Sequence, residues 1–148
     1  MKALIISDSH NNLANLKHVM GFAKQINAQA IIHCGDWNTL ESVETVTSFG
    51  IPLYGVIGNA DIADNIKNKF PEFLKIEIDG KKIGIIHNFK SLTLSQLSDL
   101  DIIFFGHIHK QEEKVKDGIR LINPGALENG INFAIFDTTS DKIEFINE

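Results

Sequence analysis

The first sixty residues alternate between apolar runs of strand length and segments with a helical period, and no other feature restricts the fold as strongly. KALIIS at 2–7, AIIHC at 30–34 and LYGVI at 53–57 are short runs of the kind that form buried strands. Between the first two, Leu13, Leu16, Val19, Met20, Ala23 and Ile26 recur at helical spacing. This predicts a helix from Asn12 to about Ile26, with Asn11 or Asn12 as its cap. A shorter helix is expected over 39–48, ending before Gly50 and Pro52. Such alternation implies parallel strands joined by right-handed crossovers.

The remainder changes character. LKIEID and KIGIIH flank Asp79-Gly80, and EEKVK and IRLI flank Asp117-Gly118. Asp-Gly between alternating runs is the strongest short-range hairpin signal. A helix near 93–99, the strand DIIFF at 101–105 and a closing strand pair, INFAIFDT and KIEFIN, complete the pattern. The expectation is an α/β protein of mixed sheets with helices on the outer faces. With 148 residues and no repeat, low-complexity tract or linker, the chain reads as one domain over 1–148.

Charge and cysteine usage exclude several classes of function. Fourteen Lys and Arg against nineteen Asp and Glu leave a net charge of −5. That balance argues against non-specific nucleic-acid binding, which needs a basic face. Cys34 is the only cysteine, so no internal disulfide is available. The apolar stretch before Asp8 is too short for a signal peptide, and no run approaches the ~18 residues of a membrane span. A soluble cytoplasmic protein without a membrane partner is expected. The short edge strands of the C-terminal hairpins leave homo-oligomeric pairing open.

The polar residues fall in a pattern. Asp8 follows ALIIS, Asp36 follows AIIHC and Gly35, and Asn59 follows YGVI and Gly58. His87 follows KIGII, and His107 follows IIFF and Gly106. Five expected strands thus each end in a side chain able to bind metal or form hydrogen bonds, and ligands of open α/β sheets bind beyond the carboxyl ends of strands. With His10 and His109 the set offers carboxylate, amide and imidazole donors and no thiolate. Mixed oxygen and nitrogen donors suit Mn, Fe, Co, Ni or Zn better than the all-oxygen shells of Ca or Mg. Seven side chains are too many for one ion with open positions and right for two ions sharing a carboxylate. Two ions ~3.5–4 Å apart stabilise both the attacking and the leaving oxygen of an in-line displacement. Two divalent cations against two carboxylates leave a positive centre that receives a phosphate even on an acidic protein.

Asp8-Ser9-His10, Gly35-Asp36, Gly58-Asn59-Ala60-Asp61, the strand-end His87 and Gly106-His107-Ile108-His109, in that order, resemble the calcineurin-like metallophosphoesterases. Asn123-Pro124-Gly125 is a weaker echo, and the size is similar to the family's small single-domain phosphodiesterases. The resemblance implies a four-layer α/β/β/α sandwich. It also implies that Asp8, His10, Asp36 and His109 hold one metal, and that Asp36, Asn59, His87 and His107 hold another, with Asp36 shared. It further implies a metal-bridging hydroxide as nucleophile, catalytic roles for Asp8, His10, Asp36, Asn59 and His107, and a small phosphodiester substrate. Manganese leads the candidate cofactors, with nickel, cobalt, iron, zinc and magnesium open.

The chain departs from the family pattern at four places. Asn11 and Asn88 stand where glycine is usual, and asparagine tolerates left-handed backbone better than most residues. Ala126 replaces a frequent serine. Ala60 replaces a histidine thought to protonate the leaving group in larger members, a contribution of ~10²–10⁴-fold where present. Asp61 or a metal-bound water is left for that role; Asp61 equally suits orienting Asn59 or a plain turn. Trp37 suits either the cleft or the core, His33 suits packing or a hydrogen bond behind the ligands, and His18 a solvated helix face. The alternative function is a non-catalytic scaffold on this fold, like the retromer scaffold subunit. Retention of all seven ligand positions disfavours it.

Overall fold

The parallel strands read from the first sixty residues form the centre of one of two five-stranded sheets. The computed structural model describes residues 1–148. Strands β1 (Lys2–Ile6), β2 (Ala30–His33) and β3 (Leu53–Gly55) are parallel neighbours. β9 (Asn132–Asp137) adds antiparallel to β1, and β10 (Lys142–Asn147) closes that edge. The second sheet has the order β4 (Phe73–Ile78), β5 (Lys81–Ile86), β6 (Ile102–Phe105), β8 (Ile119–Pro124), β7 (Gln111–Lys116). Within it β5, β6 and β8 are parallel, and the two Asp-Gly hairpins supply the antiparallel edges. Asp79 and Gly80 both have positive φ, as do Asp117 and Gly118, the conformation of the tight turns that match strand twist.

Strand alternation sorts the core into layers. Ala3 and Ile5 of β1 point toward the second sheet and meet Ile83, Ile85, Ile102 and Phe104. Leu4 and Ile6 point the other way, onto helices α1 (Leu13–Gln25) and α2 (Leu40–Thr47). Leu16, Val19, Met20 and Ala23 form the buried stripe of α1, as their spacing predicts. Asn12 caps α1 by accepting from the Asn15 amide at 3.0 Å, and Thr39 caps α2. Asn11 is no cap; it adopts φ 62 in the loop before it.

The fourth layer is thinner than expected. The helix read at 93–99 is a single turn, α4 (Leu94–Leu97), held by reciprocal Thr93 and Gln96 cap bonds. A 3-10 turn at Phe89–Ser91 precedes it. Leu94 is exposed, so this segment lacks the apolar stripe that would hold a longer helix to the sheet. Leu92, Leu97 and Phe89 cover Ile103, Phe105 and Leu121 on that face. Two further details differ from expectation. β3 ends at Gly55 rather than residue 57, because the Ile57 amide bonds the Pro71 carbonyl instead of a strand neighbour. A one-turn helix, α3 (Asp64–Lys67), follows it with no sequence signal to announce it.

Candidate metal centre

The carboxyl ends of β1, β2, β3, β5 and β6 come together at one end of the two-sheet stack, and the loops leaving them are tied to one another. Asp8 donates its amide to the Gly35 carbonyl at 2.9 Å, His10 to Asp36 at 3.0 Å and Asn11 to Trp37 at 3.0 Å, so the first loop is zipped onto the second. The Gly106 amide bonds the His87 carbonyl at 3.0 Å. Asn123 Nδ2 donates to the Gly106 carbonyl at 2.9 Å, and its Oδ1 accepts from the Gly125 amide. The Asn-Pro-Gly echo therefore clamps the turn that carries His107.

Five of the seven expected ligands, Asp8, His10, Asp36, His107 and His109, have positive φ between 43° and 73°. Such backbone costs of order 1–3 kcal/mol per residue and persists where surrounding structure over-determines it, typically at functional sites. Three glycines make room for the ligands. A Cβ on Gly58 would lie 2.2 Å from Asp36 Oδ1, and one on Gly106 would lie 2.1 Å from Ser7 Oγ and 2.6 Å from Asp8 Oδ2. Gly35 combines φ 97 with a 2.8 Å approach to the Gly58 amide. Position 88 behaves differently: Asn88 has φ −111, so glycine is not needed there, whereas Asn11 is left-handed.

Asp8 is fully buried, and Asp36 and His87 are nearly so. Asp8 Oδ2 accepts from Ser7 Oγ at 2.7 Å and from the His107 amide at 3.0 Å, while Oδ1 lies 3.0 Å from His109 Nε2. Burial pushes the Asp8 carboxyl above its ordinary range, opposed in part by His87, Ser7 and His109. Burial also pushes Asp36 upward. His87, the Ala60 amide (2.9 Å from Oδ1) and His10 outweigh it, holding Asp36 at about 2. Asp36 Oδ2 sits 3.5 Å from His10 Nε2 and 3.2 Å from His87 Nε2, so one oxygen faces a histidine of each expected ligand set. Burial lowers the His87 pKa, and the Asp36 and Asp8 carboxylates more than reverse it.

The imidazoles are oriented from behind. His87 Nδ1 donates to the Cys34 carbonyl at 2.8 Å, which leaves Nε2 turned into the site. His107 Nδ1 lies 3.2 Å from Asn59 Oδ1. His10 Nε2 and His87 Nε2 are buried without a hydrogen-bond partner, although carboxylates stand nearby. Buried polar atoms are rarely left so, and two imidazole nitrogens facing two carboxylates have the donor chemistry of a divalent transition cation. Asp8, His10 and His109 form one group with donor atoms within 4.8 Å of each other, and Asp8, Asp36 and His87 form a second. Asn59 and His107 stand beside the second group.

Residues outside that set are equally well placed. Asp61 accepts three backbone amides, from Asp36 at 2.9 Å, Gly58 at 2.8 Å and Asn38 at 2.7 Å. Both its oxygens are committed and no hydrogen bond joins it to Asn59. It braces two loops together rather than standing ready as an acid. Trp37 is fully buried, stacked 3.6 Å from His33 and 5.2 Å from Phe70, so it belongs to the core and not to the cleft. His33 accepts the Gly35 amide at Nδ1 and donates from Nε2 to Ser9 Oγ; burial holds it neutral, well below the ordinary histidine pKa. His18 is exposed and pairs with Glu148.

Sequence reasoning missed Ser7 and Glu128. Glu128 Oε2 is 3.9 Å from both His10 Nε2 and His109 Nδ1. Its loop is held by Asn12 Nδ2, which donates to the Glu128 carbonyl, and by Asn15 Nδ2, which donates to Leu127. The only signal was its position three residues after the Asn-Pro-Gly block.

Comparison with known proteins gives four findings. The calcineurin-like phosphoesterase superfamily domain matches residues 1–141. A phosphodiesterase of Methanocaldococcus jannaschii is 29% identical over 138 residues, covering 84% of this chain and 83% of its own. Among solved structures, an archaeal phosphodiesterase superposes with a TM-score of 0.84 at 25% identity, over the full length of both chains. Vacuolar protein sorting 29 of Cryptosporidium parvum superposes with a TM-score of 0.71 at 21% identity, over 99% of this chain and 96% of its own, a likeness of fold.

Proposed function

The chain belongs to the calcineurin-like phosphoesterase superfamily, and from that membership we propose that it hydrolyses a small phosphodiester at a centre of two divalent cations. The observation that carries this reading is the pair of orphaned imidazole nitrogens, His10 Nε2 and His87 Nε2, on either side of the Asp36 carboxylate. Asp8, His10, Asp36 and His109 would hold one cation, and Asp36, Asn59, His87 and His107 the other. Held there, such cations would supply Lewis-acid charge and would lower the pKa of a water.

The chain's own residues do the rest. Ser7 and the His107 amide fix the Asp8 carboxylate, the Ala60 amide fixes Asp36, and the Cys34 carbonyl fixes the His87 tautomer. Asp61 sets the distance between the loops bearing Asp36 and Asn59. Neither of the two positions expected to supply an acid is free to protonate a leaving group: position 60 is alanine and Asp61 is bound by amides. That favours esters whose leaving group departs without a proton, and diesters, with one charge fewer, over monoesters.

The test is hydrolysis of bis(p-nitrophenyl) phosphate and p-nitrophenyl phosphate by chelator-stripped protein reloaded with Mn(II). Metal-dependent turnover favouring the diester is expected. Folded protein that turns over neither ester with any divalent cation would overturn the reading and favour a scaffold role.

A further inference from the structure

Beside the metal centre, on the side of the second sheet, opens a cavity of about 270 Å³. Asn59, His87 and His107 form its inner edge, so a group seated there is joined directly to whatever the centre holds. The size lies just below the range of drug-sized ligand sites and suits a moiety about as large as a sugar ring. Its wall combines Phe73 and Ile86 with four polar side chains, Glu72, Asn88, Ser91 and Gln96.

The polar groups are arranged to a purpose that their local hydrogen bonds reveal. Asn88 Oδ1 accepts the Lys90 amide at 3.0 Å, and Gln96 Oε1 accepts the Thr93 amide at 2.9 Å. Each backbone N–H requires an acceptor, so the oxygens are pinned and the two NH₂ groups remain as donors. Glu72 is an acceptor-only carboxylate, and Ser91 can donate or accept. No lysine or arginine lines the cavity. A second phosphate in it would meet Glu72 with no lysine or arginine beside it, whereas an alcohol with several hydroxyls can donate to Glu72 and accept from Asn88 and Gln96.

We propose that this cavity selects one ester group of the substrate, an uncharged polyhydroxylated moiety of sugar size, and rejects one that carries a further phosphate. The proposal rests on the phosphodiesterase reading and sharpens it to a substrate class. The apolar wall of Phe73 and Ile86 packs against the carbon face of such a group, and the one carboxylate supplies the rejection. Discrimination by an unpaired charge is a repulsive device, and its removal relaxes selectivity.

Three diesters with the same p-nitrophenolate leaving group separate the outcomes. They are bis(p-nitrophenyl) phosphate, the p-nitrophenyl ester of uridine 5′-phosphate, whose ribose keeps two hydroxyls, and the same ester carrying a 3′-phosphate. With Mn(II)-loaded protein, kcat/KM for the hydroxyl-bearing nucleoside ester is expected to exceed that for its 3′-phosphorylated analogue at least tenfold. Glu72→Gln should shrink that ratio several-fold, and Glu72→Lys should invert it. Uridine should also give saturation-transfer NMR signals with metal-free protein, weakened by Phe73→Ala, and uridine 3′-phosphate should not. Equal turnover of the phosphorylated and unphosphorylated esters, or a ratio indifferent to Glu72, overturns this proposal alone. No turnover of any of the three overturns the phosphodiesterase reading with it.

Discussion

The two sheets contribute unlike halves of the candidate metal centre. The first sheet, covered by two full helices, supplies every carboxylate, Asp8 and Asp36, together with His10 and Asn59. The second, whose outer face carries only one-turn helical pieces, supplies three imidazoles, His87, His107 and His109. Burial follows donor type more than sheet: Asp8 and Asp36 are almost inaccessible, whereas Asn59 is exposed and the His109 side chain is 40% exposed. Charge that is costly to desolvate sits on the half best able to hold it, with an amide or hydroxyl aimed at one oxygen of each carboxylate. Most of the imidazole donors sit where the backbone has less support, and His87 is the exception, gripped between the sheets by the Cys34 carbonyl.

Substitution across this divide should give unequal losses. Asp36→Asn removes the oxygen between His10 and His87 and should abolish turnover and both metal-binding events by calorimetry. His109→Ala should leave weakened but measurable binding, because the group of Asp8, Asp36 and His87 survives. Equal losses in the two variants would erase the distinction between the halves. Asp61→Ala strips the partner from three amides and should lower metal affinity about 10–100-fold, as loss of a residue behind the ligands does. The protein should also lose about 1–3 kcal/mol in a denaturant titration.

Gly106→Ala tests the second half's loop. Its new Cβ would strike Ser7 Oγ and Asp8 Oδ2, so a cost of about 1–3 kcal/mol is expected by thermal or denaturant unfolding. No change would mean that the loop is free to move away from the carboxylate. A smaller effect belongs to His33. Unfolded His33 takes up a proton as pH falls through the ordinary value of 6.5, while the folded ring stays neutral. Its contribution to stability is therefore present above that value and lost on acidification below it, by at most ~1.4 kcal/mol per pH unit. Stability of His33→Gln should fall less steeply between pH 7 and pH 5 than that of the unaltered protein. His18→Gln should change neither metal binding nor turnover; a loss there would show that the site extends along α1.

Much of the fold was legible because its signals are local. Strand lengths, the α1 stripe, both Asp-Gly hairpins and the closing strand pair depend on side-chain period and turn chemistry within a few residues. The short α4 and the truncated β3 were not legible: a few apolar residues fit a longer helix or strand equally well, and long-range partners such as the Pro71 carbonyl decide between them. At the site, a strand-end position marked Asp8, Asp36, Asn59, His87 and His107, and the structure brings all five together with His10 and His109.

The sequence alone determined which donors are available and that strand ends carry them, since residue type and period are properties of the chain itself. Only the tertiary structure decided that Asp61 serves three amides, that Trp37 is core, and that Glu128 stands beside His10 and His109. It also decided that Asn11 is left-handed while Asn88 is not. Each of these depends on which loops lie against each other, and hydrogen bonds between loops far apart in sequence leave no period for the chain to display.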